Sequence, residues 1–169
     1  ILVSGPEAAV ELEELIPANL DKLAMGQERY SFFTLNNGGL LDDLIIARRA
    51  DDVFYLVVNA SRIAEDLAHL QQHLKCSTIE VLDKHALLAL QGPQAAVALA
   101  SCFAEIKPAI EQLSFMNCMP LSIKLGDDNV ELVVCRSGYT GEDGFEISMP
   151  SASAPIFARQ LLEHSAVTW

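Results

Sequence analysis

Positive charge is scarce in this sequence. Eleven Lys and Arg stand against 23 Asp and Glu, a formal net charge of −12. Such a chain has no broad attraction for a phosphate backbone or an anionic bilayer, so nucleic acid and membrane are excluded as main partners. An anionic small ligand held by a few local cations stays open. Cysteine is sparse too. Cys76, Cys102, Cys118 and Cys135 form no CxxC pair, and neither a zinc site nor a redox dithiol is signalled. Cys135, within VELVVC, reads as a small buried hydrophobe, and a reducing compartment fits best. His69 and His73 have helical i, i+4 spacing, but AHLQQHL brings no further ligand and no metal is assigned. No apolar run reaches transmembrane length and no signal peptide is visible. With only 9 Gly and 7 Pro among 169 residues, and 51% hydrophobic residues, the chain excludes low-complexity disorder and can build a core. It begins with Ile and not Met, and is expected to be a processed or truncated piece.

What is present is repetition. SGPEAAVEL at 4–12 and QGPQAAVAL at 91–99 share G-P-x-A-A-V-x-L at an offset of 87 residues. Each follows a short β-like run, ILV or ALLAL. Gly-Pro is a turn with Pro at a first helical position, and the Ala-rich tail continues as helix. Two related units are expected, residues 1–83 and 84–169.

The first unit reads as β-α-β-β-β-α. ILVSG is a strand and PEAAVELEELI a helix. ERYSFFTL and LLDDLIIARR are strands around an NNGG hairpin turn, and VFYLVVN is another strand. SRIAEDLAHLQQHL is a helix with Ile63, Leu67, Leu70 and Leu74 on its apolar stripe, capped by Asn59 or Ser61. STIEVLD is a strand leaving the unit. In the second unit HALLALQGP leads into a helix ending near Phe103. PLSIKLG, VELVVCRSG and GFEISMP are strands, and Ala154 to His164 is a helix capped by Ser151 or Ser153. The fold class is therefore α+β: two related antiparallel sheets with helices packed on one face, the first ferredoxin-like and the second incomplete.

Two stretches carry candidate chemistry. In GGLLDDLI two adjacent carboxylates sit in an apolar strand. Successive side chains face opposite ways, so Leu40, Asp42 and Leu44 share one face, and Leu41, Asp43 and Ile45 the other. Whichever face packs on the core, one acid goes with it, and a buried charge needs a partner or a purpose. The plainer reading is a turn-ending Asp beside a solvated one. In RSGYTGEDGFEI, at 136–147, Gly138, Gly141 and Gly144 recur every third residue between two strands, permitting tight backbone geometry or close ligand approach. Taken alone it is also an ordinary glycine-rich hairpin with solvated acids.

GGLLDDLI, FYLVVNA, ALLALQGPQAA and GYTGEDGFEI, in this order and at these spacings, resemble the T-protein family of the glycine cleavage system, the aminomethyltransferases. The resemblance covers nearly the whole chain. It implies transfer of an aminomethyl group from the lipoyl arm of H-protein to tetrahydrofolate, with release of ammonia and formation of 5,10-methylenetetrahydrofolate. Lipoylated H-protein and tetrahydrofolate are then the partners, with no metal. The resemblance makes Asp43 the catalytic acid near the reacting folate nitrogen, held inward, with Asp42 on the other face. It makes Glu146 the acceptor of the pterin N–H and amino group, and places Tyr139, Asn59 and Tyr30 at pocket positions. Tyr30 as a strand-edge Tyr and Asn59 as a helix cap stay equally open. The family also has a segment before the position of Ile1, an arginine-bearing segment beyond Trp169 and a C-terminal β-barrel. An inactive core fragment, from bacterial cytoplasm or, less favoured, mitochondrial matrix, is expected. The alternatives are a non-catalytic folate-binding or assembly module on the same fold, and a purely structural domain.

Overall fold

The β-branched and aromatic runs form strands and the Ala- and Leu-rich runs form helices. A computed structural model describes all of residues 1–169 and divides them into two units, Ile1–Leu82 and Asp83–Trp169. The class is α+β with two antiparallel sheets. No helix is long and apolar enough to cross a membrane.

In the first unit the elements run β1 (Leu2–Ser4), α1 (Ala8–Glu13), β2 (Glu28–Thr34), β3 (Leu40–Ala50), β4 (Val53–Val58), α2 (Ile63–His73) and β5 (Thr78–Glu80). The sheet order is β2-β3-β4-β1-β5. The expected NNGG hairpin is present: Leu35 N–H donates to the Gly39 carbonyl and Gly38 N–H to the Leu35 carbonyl. STIEVLD does not leave the unit. Its β5 pairs with β1, Ile79 opposite Val3. Glu11 of α1 ties this end down, because its carboxylate accepts the backbone N–H groups of Lys75, Cys76 and Ser77. Leu12 and Ala8 of α1, Leu70 and Leu74 near the end of α2, and Val3, Phe33, Leu44, Ile46, Phe54 and Leu56 of the strands fill one core. Both helices therefore cover the same face of the sheet.

The second unit runs β6 (His85–Gln91), α3 (Ala95–Cys102), a 3-10 turn (Ala104–Ile106), α4 (Lys107–Gln112), β7 (Cys118–Leu125), β8 (Asp128–Cys135), β9 (Gly144–Pro150) and α5 (Ala154–Leu162). Its sheet order is β6-β9-β8-β7. Helix α4 is short, with Pro at its start, and was not legible from periodicity. Ser153 occupies the cap position of α5 but its side chain makes no cap bond.

The repeated sequence has a repeated conformation. Gly5 has φ 135° and Gly92 φ 126°. Each donates its N–H to the carbonyl of an Asp before the next strand, Asp52 at 3.0 Å and Asp143 at 2.7 Å. Each accepts, at 3.0 Å, the N–H of the first helical residue, Ala8 or Ala95. A side chain is disfavoured in that backbone region, so each glycine is required by its turn. Substituting Gly5→Ala or Gly92→Ala should cost on the order of 1–3 kcal/mol at either site. Urea unfolding of both variants checks this, and a loss at only one site would show that the turns are not equivalent.

Candidate functional site

The pleat of β3 separates the two adjacent acids. Leu44 and Ile46 belong to the buried core, so Asp42, in step with them, lies on the helix-covered face. Asp43 lies on the opposite face with Ile45 and Ala47. This reverses the expectation that Asp43 is the inward acid. The β2–β3 register sets Phe32 opposite Asp43 and Tyr30 opposite Ile45, so Tyr30 is a diagonal neighbour of Asp43 on the same face. The Tyr30 hydroxyl donates to Asp43 Oδ2 at 2.7 Å. The Asn59 amide, just beyond β4, donates to Asp43 Oδ1 at 2.6 Å and to Asp42 Oδ1 at 3.0 Å. The hydrogen bond from Tyr30, and then that from Asn59, hold the Asp43 carboxyl below its ordinary range. It is an oriented carboxylate at neutral pH. The same bond raises the Tyr30 phenol, so the proton stays on the tyrosine.

Asn59 is thus not a helix cap. Helix α2 starts at Ile63 with Arg62 in the cap position, and no side chain caps it. The inward stripe is also rotated from the expected one. Ile63 is 42% exposed, whereas Asp66 is fully buried in step with Leu70 and Leu74. Asp66 pairs with the other acid of β3. Burial first, then the negative Asp42 beside it, pushes its carboxyl from 3.8 up to about 7. Sequence reasoning missed this residue, although the four-residue steps Asp66, Leu70 and Leu74 were its signal.

In the second unit the loop between β8 and β9, residues 136–143, stands where the first unit has a two-residue turn, Asp51–Asp52. Its base is closed by a forked ion pair. Arg136 donates from Nε to Asp143 Oδ1 at 2.9 Å and from Nη2 to Oδ2 at 2.8 Å. Arg136 also donates to the Leu113 carbonyl and lies over the Phe145 ring. The two-pronged bond from Arg136 holds Asp143 below its ordinary range.

Two of the three glycines of RSGYTGEDGFEI, Gly138 and Gly144, make room for a protein side chain. A Cβ on Gly138 would lie 2.0 Å, and one on Gly144 2.2 Å, from Gln91 Oε1. Gln91 threads between them, its amide donating to the Ser137 and Phe145 carbonyls. Glu146 is buried on β9, and Ser137 Oγ donates to its Oε2 at 2.8 Å. Tyr139 is 84% exposed at the loop tip. The structure therefore brings Tyr30, Asn59 and Asp43 together in the first unit. In the second it places Glu146 beside Ser137 and leaves Tyr139 in solvent. His69 and His73 of α2 meet ring to ring at a 53° tilt, with centroids 4.4 Å apart, and His69 also packs edge-on against Phe33.

A family model described as the GCVT N-terminal domain matches residues 1–167. The chain belongs to that family. It is 38% identical to an aminomethyltransferase of Exiguobacterium sibiricum, over 99% of this chain and 45% of the relative. It is also 38% identical to a mitochondrial aminomethyltransferase of Pisum sativum, over 96% of this chain and 40% of the relative. The crystal structure of the glycine cleavage system aminomethyltransferase T from Bartonella henselae superposes with a TM-score of 0.83 at 38% identity, over 99% of this chain and 44% of that one. The chain thus spans less than half the length of these relatives. Its two α+β units, with the acid pair in β3 and the glycine loop after β8, are this chain's form of the GCVT N-terminal domain.

Two outcomes follow for this domain. Gly144→Ala should destabilise it by on the order of 2 kcal/mol through overlap with Gln91, and Gln91→Ala in the same chain should recover part of the loss. A double-mutant cycle of unfolding free energies without coupling would refute the close approach. Asp66 sets a pH slope. Unfolded, it ionises near 3.8; folded, it keeps its proton to about 7. Folding takes up a proton in between, so its contribution to stability is largest below pH 4 and declines as pH rises to 7. The decline is on the order of 3 kcal/mol. Asp66→Asn should remove it. Unfolding of both proteins at about pH 5 and about pH 8 measures the difference, which cancels the opposite slope of the other carboxylates.

Proposed function

We propose that this chain is the folate-handling core of an aminomethyltransferase of glycine cleavage, with Asp43 as the catalytic carboxylate. The observation that carries the reading is the holding of Asp43. Each of its oxygens has its own donor, Tyr30 on one and Asn59 on the other. A carboxylate fixed and ionised in this way can accept the proton of an attacking amine and stabilise positive charge developing on the transferred carbon. In the proposed reaction the amine of tetrahydrofolate bonds to the methylene carried on the lipoyl arm of H-protein. As that bond forms the carbon–sulfur bond breaks, and its electron pair stays on sulfur, which takes up a proton as the thiol. A second folate amine then bonds to the same carbon as its original carbon–nitrogen bond breaks, and that nitrogen takes up a proton and leaves as ammonia.

Glu146 is assigned to the pterin, whose ring N–H and amino group one carboxylate can accept together. The Ser137 hydroxyl that donates to Oε2 supports this role by fixing the acid's orientation. Tyr139, exposed at the loop tip, and Tyr30 are assigned as flat surfaces against the ligand. The printed names of the relatives, all aminomethyltransferases, support the same reading. The proposed compartment is a bacterial cytoplasm or a mitochondrial matrix, relatives of both kinds being 38% identical to this chain.

The test is Asp43→Asn in the full-length enzyme. Aminomethyl transfer to tetrahydrofolate should fall by at least ~100-fold, while tetrahydrofolate affinity measured by calorimetry changes by less than ~10-fold. Unchanged transfer would overturn the assignment. Unchanged folate binding with no transfer in the parent protein would favour a non-catalytic folate-binding module.

A further inference from the structure

The acid pair of β3 does not end at Asn59. Behind it, on the core side of the sheet, lies Asp66, fully buried on α2. Both Asp66 oxygens and Asp42 Oδ2 are enclosed and receive no hydrogen from any neighbouring donor. The two carboxyl groups are nevertheless within hydrogen-bonding reach of one another. Two ionised carboxylates in that position would repel each other and leave three buried oxygens unsatisfied. One proton between them removes the repulsion and pairs two of the three oxygens.

We propose that Asp66 is a positioning residue: as a neutral acid it donates its proton to Asp42, so that Asp42 Oδ1 holds the Asn59 amide at the angle that orients Asp43. This rests on the reading of Asp43 as the transfer carboxylate and adds a residue behind it. The chain of contacts runs from Asp66 O–H to Asp42, from Asn59 Nδ2–H to Asp42 Oδ1 and Asp43 Oδ1, and from Tyr30 O–H to Asp43 Oδ2. The arrangement crosses the sheet. Asp66 and Asp42 lie on the helix side, Asp43 and Tyr30 on the other, and Asn59 at the end of β4 is the one group that reaches both acids of β3.

No step consumes the Asp66 proton. It is shared with Asp42 and stays there through turnover. Asp66 touches neither ligand nor reacting atom, so its effect on chemistry passes through the geometry of Asn59. The charged groups that act on it are few. Asp42 faces it from β3. On its own helix Arg62 opposes its protonation and Glu65 reinforces it. Arg62 is itself engaged with Glu65 and with the Leu41 carbonyl. His69, the next titratable group along the inward side of α2, has its ring against Phe33 and His73. The Asp66 proton is lost with a midpoint of about 7, so the network is complete in mildly acid solution, half-formed at neutrality and loosened above it.

The experiment compares Asp66→Asn with Asp66→Val in the full-length enzyme. Asn keeps a neutral N–H donor for Asp42, whereas Val removes it at nearly the same volume. Asp66→Asn should retain most of the transfer rate and lose the decline of that rate above pH 7. Asp66→Val should lower kcat about tenfold, the value of one hydrogen bond, with KM for tetrahydrofolate little changed. A second readout does not use activity: the side-chain amide resonance of Asn59 by NMR, which should move in Asp66→Val and hold its place in Asp66→Asn. Carbon-13 titration of the Asp66 carboxyl should show a midpoint near 7. An ordinary midpoint near 4, or an Asn59 resonance indifferent to both substitutions, overturns the proposal. If Asp43→Asn leaves transfer intact while Asn59 responds as described, the reading of Asp43 fails and the positioning network stands.

Discussion

The two-residue period of β3 is the constraint on which the first unit's chemistry depends. The strand is paired on both sides, with β2 and with β4, and its register cannot slip without turning Leu44 and Ile46 out of the core. With those residues inward, adjacent aspartates must go to opposite faces. One is delivered to the helix side, where Asp66 waits, and the other to the side of Tyr30. The Asn59 amide rejoins what the pleat has separated. Neither acid is placed by its own preference. Both are carried to their positions by the hydrophobic residues that follow them.

The second unit solves a comparable problem by a different route. Between β8 and β9 it carries a loop of residues 136–143 in place of a two-residue turn, and such a loop needs its own fastening. Arg136 and Asp143 close its base with two parallel hydrogen bonds, partly shielded from water, where such pairs contribute more than at an open surface. Gln91 fills the space that Gly138 and Gly144 leave, and its amide holds two backbone carbonyls. The loop is therefore anchored at its base and free of ties at Tyr139. Glu146 follows on β9, buried, with Ser137 as its fixed donor.

Repetition explains why both units look alike and why they differ. Gly5 and Gly92 share a backbone conformation that only glycine adopts without cost, and the same two hydrogen bonds follow from it. Beyond the turns the copies diverge. The first sheet adds β5 against β1, and the second unit inserts α4 before β7.

The sequence by itself determined the periodic elements. The strands of ERYSFFTL, LLDDLIIARR and VELVVC, the NNGG turn, the repeated Gly-Pro turns and the α+β class were all legible, because each follows from side-chain period or local turn chemistry. The motif order alone also pointed to the family. Only the tertiary structure decided which face of β3 is inward, because a period of two states that adjacent residues diverge and not which one meets the helices. It decided that Asn59 serves the acids of β3 and not α2, and that STIEVLD returns to β1, since both depend on neighbours distant in the chain. It decided that Asp66 is buried. A carboxylate on a helix reads as solvent-facing by composition, and only packing against Asp42 makes a neutral acid the lower-energy form there.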